Sequence, residues 1–208
     1  MKNFYIKGMS TTKEEQEKII NNFKKREIDV IPVIDDYTNY SIKTIIPYIE
    51  GFIKKNNPNN EEINLICHSM GCNFGYIFNL NANVNKLILI SPEFISTTSK
   101  QKKAIVTNYQ GIDYNTSHNI KPNLHNIILY YKSLREIFKC KTLSLGPNSL
   151  IIYSKGDAFV NQEWINSYLN LLAQKLEIES NSHNPLLTNE EVYDEIKIFI
   201  GKTLDKIK

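Results

Sequence analysis

The chain has 208 residues, 41% of them apolar and 23% charged, with a net charge of +3. That length suits one domain with a sizeable core, and that charge is too small to argue for nucleic acid as a partner. No apolar run approaches the roughly 18 residues of a membrane span, and Met1 to Ser10 lacks a signal-peptide core, so a cytoplasmic protein is expected. The basic clusters Lys100 to Lys103 and Lys139 to Lys141 are short and read as solvated faces. Cys67, Cys72 and Cys140 form no metal or disulfide pattern and read as reduced packing residues.

Asn3 to Lys7 reads as a strand, turned by Gly8-Met9-Ser10 into a helix. Thr11 and Glu14 fit a capping box, and the helical pattern runs to about Glu27. Ile28 to Ile34 is a second strand. Pro32 lies inside it and assigns it to the sheet edge, because proline cannot donate to a ladder. After the polar turn Asp35 to Tyr40, Ile42, Ile45, Ile46, Ile49, Phe52 and Ile53 repeat at helical spacing. Pro47 places the regular start of that helix near Thr44 to Ile46. Asn56 to Asn60 is a loop.

Ile63 to Cys67 is the third strand, followed by a sharp turn at Ser69 and a helix over Asn73 to Leu80. Lys86 to Ile90 is the fourth strand and Leu150 to Ser154 the fifth. Residues 94–148 interrupt the alternation and read as a lid-like insertion, its second half a periodic helix opened by Pro122. A helix containing Trp164, Ile165, Tyr168, Leu169 and Leu172 follows the fifth strand, and Lys175 to Glu179 is the sixth. Ser180 to Pro185 is a flexible polar loop. A closing helix starts near Thr188, with Glu191 as capping partner, and buries Val192, Ile196, Phe199 and Ile200. No internal repeat or low-complexity linker divides the chain.

Strands alternating with helices imply an α/β fold: a three-layer sandwich around a mainly parallel six-stranded sheet, with right-handed crossovers. Ligands of such sheets sit beyond the carboxyl ends of the strands. The residues found there are Gly8-Met9, Asp35-Asp36, His68-Ser69-Met70, Glu93, Asp157 and His183. A serine hydroxyl needs a neighbouring base, and the base needs a carboxylate to hold its tautomer. Ser69 lies at the apex of a strand–turn–helix, where the first free N–H groups of the helix face whatever its hydroxyl attacks.

His183 is the expected base. His68 adjoins Ser69 but consecutive residues at a sharp turn point apart, and His118 and His125 lie in the insertion. Asp157 is the expected acid, with Glu93 its rival; Asp35 and Asp36 are turn or capping residues at the sheet edge. The backbone N–H groups of Met70 and Met9 are the expected oxyanion donors.

Cys67-His68-Ser69-Met70-Gly71 resembles the nucleophile elbow of the α/β-hydrolase superfamily, written G-x-S-x-G. The order Ser69, Asp157, His183 is the order of nucleophile, acid and base in that superfamily. Gly156-Asp157-Ala158-Phe159-Val160 resembles its acid loop, and Lys7-Gly8-Met9 its oxyanion turn, usually His-Gly. Cys67 departs from the first glycine of the motif and Lys7 from the histidine, and β-strands equivalent to the superfamily's first two are not expected in this sequence. The resemblance implies a serine hydrolase of a small carboxylic ester or thioester, with no metal or organic cofactor. Two rivals remain: an inactive binding protein on the same scaffold, and a flavodoxin-like nucleotide or flavin binder. The second lacks a G-x-G-x-x-G loop.

Overall fold

The computed structural model describes residues 1–9, 11–37, 42–79, 83–92, 145–157, 159–160, 165 and 173–202. Its strands are β1 (Lys2–Ile6), β2 (Val30–Pro32), β3 (Ile63–His68), β4 (Val84–Ile90), β5 (Ser149–Ser154) and β6 (Gln174–Ile178). Its helices are α1 (Lys13–Lys25), α2 (Ile42–Asn56), α3 (Gly71–Asn79), α4 (Pro185–Thr188) and α5 (Glu191–Gly201). The sheet has six strands in the order β2-β1-β3-β4-β5-β6, and every pairing is parallel. β2 lies at the edge, where the missing N–H of Pro32 leaves no ladder bond unmade.

Both faces of the sheet are covered, which explains why the central strands read as unbroken apolar runs. Side chains alternate strictly between two cores. Phe4, Ile6, Leu65, Cys67, Leu87, Leu89 and Ile151 pack with Ile45, Ile49 and Ile53 of α2 and Phe74 and Ile77 of α3. Tyr5, Ile66, Ile88, Ile90, Leu150 and Ile152 pack with Ile19 and Phe23 of α1, Leu186 of α4, and Val192, Ile196 and Phe199 of α5. The Phe23 and Tyr193 rings meet edge-on at 4.7 Å, and Arg26 joins α1 to α5 by bonding Asp194 and Glu190.

At the amino ends of the strands, side-chain amides form a row. Asn3 Nδ2 donates to the Asp29 carbonyl (2.9 Å), Asn64 Nδ2 to Asn3 Oδ1 (2.8 Å), and Asn85 Nδ2 to Asn64 Oδ1 (3.1 Å). Asn85 is the extra residue where the β3–β4 register shifts, between Ile63↔Val84 and Asn64↔Lys86.

Several boundaries differ from the sequence reading. The capping box uses Thr12 and Glu15 rather than Thr11 and Glu14. α1 stops at Lys25, and Glu27 takes a positive φ of 61°. α2 starts at Ile42, so Pro47 is inside the helix and one i→i−4 bond is lost. Burial of Ile45, Ile49 and Ile53 holds the helix despite it. The closing helix is two helices: Pro185 opens α4, Thr188 ends it, and α5 begins at Glu191, whose N–H donates to Asn189 Oδ1. Residues 94–144 of the expected insertion, and most of the helix expected around Trp164, lie outside the described residues, as do Glu93, His118 and His125.

Candidate active site

β3 ends at His68 and α3 begins at Gly71, so Ser69 and Met70 carry the whole reversal. Ser69 takes φ 52°, a left-handed conformation that costs a non-glycine residue about 1–2 kcal/mol. The neighbours hold it there. Ser69 N–H donates to the Ile90 carbonyl at 2.9 Å, and Cys72 N–H donates to the Ser69 carbonyl at 3.0 Å. A Cβ on Gly71 would lie 2.3 Å from the Ile6 carbonyl oxygen and 2.7 Å from that of Lys7. The second glycine of the motif therefore lets α3 start against the end of β1.

Cys67, at the motif's first glycine, is fully buried, and burial pushes its thiol pKa up. Its Sγ fits because residue 75 is also glycine: a Cβ there would lie 2.2 Å from Cys67 Sγ. The departure at Cys67 is accommodated one turn into α3.

Asp157 follows β5. Its Oδ1 accepts from the Phe159 N–H at 2.9 Å and its Oδ2 from His183 Nδ1 at 2.8 Å, with the side chain wholly excluded from solvent. His183 follows β6, and its Nε2 lies 2.8 Å from Ser69 Oγ. The three residues expected from sequence are thus brought into one hydrogen-bonded line. A carboxylate only accepts, so Nδ1 carries the proton and Nε2 is left to accept from the serine hydroxyl. The Phe159 ring lies 4.7 Å from the His183 ring and closes one side of it.

The His183 loop is tied down rather than free. Gly156 N–H donates to the Ser180 carbonyl, which joins it to the loop carrying Asp157, and a Cβ on Gly156 would lie 1.8 Å from Asn181 Oδ1. The Ser180 and Ser182 hydroxyls accept from the Ser182 and Asn184 N–H groups, so short hydroxyl turns shape the loop. His68 Nε2 bonds the His183 carbonyl at 2.9 Å, a link the sequence does not signal.

The turn after β1 passes beside Ser69: a Cβ on Gly8 would lie 2.9 Å from Ser69 Cβ. Among the described residues, neither the Met9 nor the Met70 N–H has a hydrogen-bond acceptor. Lys7 turns away from the site. Its ammonium bonds the Asp35 carbonyl, its own carbonyl accepts from Tyr37 Oη at 2.5 Å, and burial lowers its pKa against the pull of Asp36 and Asp35. Lys7 therefore clamps the turn to the loop after β2. Among the described residues no group of three or more His, Cys, Asp or Glu could hold a metal ion, and no helix is long and apolar enough to cross a membrane.

No protein-family model matches the chain, and no curated protein matches it. Solved structures do. One of the metagenome-derived lipolytic enzymes LipS and LipT superposes with a TM-score of 0.66 at 11% identity, over 97% of this chain and 93% of that one. An extracellular α/β-hydrolase from a Paenibacillus species gives 0.61 at 13% identity, over 98% of this chain and 100% of that one. An epoxide hydrolase from Bacillus megaterium gives 0.61 at 14% identity, over 96% and 93%. The chain has the α/β-hydrolase fold.

Proposed function

We propose that the chain is a serine hydrolase that cleaves a small carboxylic ester or thioester through an acyl-enzyme. The observation that carries this reading is the line Ser69 Oγ–His183 Nε2–His183 Nδ1–Asp157 Oδ2, with both contacts at 2.8 Å. In the proposed cycle His183 takes the Ser69 proton as Oγ attacks the carbonyl carbon. Asp157 stabilises the imidazolium that forms, and the Met9 and Met70 N–H groups meet the developing oxyanion. His183 then protonates the leaving alcohol or thiol. Water, deprotonated by His183, releases the acid and restores Ser69. Each of these steps uses side chains and main chain alone. The inserted stretch 94–148 is assigned the selection of the acyl or alcohol group.

The likeness to an epoxide hydrolase does not extend the proposal to epoxides. Attack by a serine oxygen on an epoxide carbon gives an ether, which water activated by histidine does not cleave. Attack on a carbonyl gives an ester, which it does. The test is a fluorophosphonate probe, followed by p-nitrophenyl esters of increasing chain length. The protein is expected to label at Ser69, and Ser69→Ala to abolish labelling and turnover while remaining folded. A folded wild-type protein that fails to label would overturn the proposal in favour of a binding protein on this scaffold.

A further inference from the structure

His68 closes β3 beside Ser69 but takes no part in the line from Ser69 to Asp157. It is 1% exposed, and its ring is spent on two other contacts. Nε2 lies 2.9 Å from the His183 carbonyl oxygen. A carbonyl only accepts, so Nε2 carries the proton and Nδ1 is left as acceptor. Nδ1 faces Thr11 Oγ1 at 3.5 Å, and the same nitrogen is what a Cβ on Gly8 would meet at 2.9 Å. Thr11 in turn holds the turn after β1, since its N–H donates to the Gly8 carbonyl at 3.3 Å. One imidazole, seated at the end of a central strand, therefore touches the loop that carries His183 and the turn that carries Met9.

Such a pattern needs one donor and one acceptor on the same ring, which a neutral histidine supplies and an imidazolium does not. Burial, joined by the nearby His183, pushes the His68 pKa down to about 3 from 6.5, so the ring stays neutral wherever His183 works as a base. The His183 side chain is fixed at Nδ1 by Asp157, and its main chain is fixed by His68. Without the second hold the imidazole could swing about the Asp157 contact, and a misplacement of about 1 Å costs on the order of 100-fold in rate.

We propose that His68 is a positioning residue, which sets the reach of His183 Nε2 to Ser69 Oγ by holding the His183 carbonyl and, through Thr11, seats the Gly8–Met9 turn beside the elbow. Its consequence for turnover rests on the serine hydrolase reading; its geometry does not.

Two variants of similar length separate the roles. His68→Gln keeps a donor and an acceptor, and His68→Met keeps only bulk. With a fluorophosphonate probe, the Met variant is expected to label about 10- to 100-fold more slowly, and the Gln variant to recover most of that loss. The Nδ1 proton of His183, shared with Asp157, is expected as a downfield NMR signal in the wild type, in Ser69→Ala and in the Gln variant. It is expected to broaden away in a folded Met variant. Nitrogen shifts of the wild-type protein should show His68 neutral with its proton on Nε2 at neutral pH, a measurement that needs no variant to fold. A proton on Nδ1 of His68, or a folded Met variant with unchanged labelling and an unchanged downfield signal, would overturn the proposal. If wild-type Ser69 proves inert, the functional reading fails alone, while the tautomer and the downfield signal still decide the role of His68.

Discussion

A Cβ on Gly75 would lie 2.2 Å from the Sγ of Cys67, so the two positions share the room of one side chain. The end of β3 and the second turn of α3 are pressed together here, and only one of the pair has a side chain. Gly75→Ala is expected to destabilise the fold by about 1–3 kcal/mol, the usual range for overpacking a tight interior. Adding Cys67→Gly should return part of that loss, so the double variant falls short of the sum of the single effects. Denaturant melts of the four proteins give the coupling. Additive losses would show that Gly75 answers to something other than Cys67.

The turn after β1 has its own test. A methyl on Gly8 would meet Ser69 Cβ and His68 Nδ1, each at 2.9 Å. Gly8→Ala should push the Met9 N–H off the position it takes in the proposed oxyanion hole. The expected loss is about 10²- to 10³-fold in kcat, typical of one lost oxyanion donor. A smaller change is expected in KM. Steady-state kinetics on an activated ester check both.

Asp157→Asn tests the carboxylate without emptying its seat. The Phe159 N–H can still be met by an amide oxygen, but Nδ1 of His183 loses its anionic partner and the wrong tautomer gains. kcat is expected to drop about 10⁴-fold with the fold intact. A loss under tenfold would move the acid elsewhere.

His68 also leaves a mark on stability. Its pKa in the folded protein, about 3, lies below the ordinary 6.5, so unfolding takes up a proton between those values. Stability from this group is complete above pH 6.5 and is lost as pH falls, at about 1.4 kcal/mol per unit, levelling off near pH 3. Urea melts from neutral pH down to about pH 4 should show a shallower decline for His68→Gln than for the wild type. Parallel curves would mean that His68 is protonated in the folded state.

What was legible in the sequence was what local pattern and topology dictate together. Ser69 stood out because an apolar run met a small-residue turn, and Asp157 and His183 because a parallel sheet gathers strand ends along one rim. Pro32 marked the edge strand. Thr12 and Glu15, one residue beyond the expected Thr11 and Glu14, have the same spacing, so spacing alone does not choose between them. Tertiary structure breaks the tie: Thr11 is buried beside His68, which leaves Thr12 to cap α1. α2 runs through Pro47 because three buried isoleucines outweigh one lost hydrogen bond. The hold of His68 on the His183 carbonyl spans 115 positions of chain, and no linear pattern carries such information.

The row of asparagines at the far end of the sheet acts as a registration mark. Asn3 stands opposite Asn64, and five residues further along the chain from each stand Gly8 and Ser69, just past the ends of β1 and β3. A slip of one residue between β1 and β3 would slide the Met9 turn about 3.3 Å past the serine, and would turn Asn3 from its amide partner toward buried leucine and isoleucine. The alignment of the two halves of the site is thus gauged some five residues away from it, by groups that never meet a substrate.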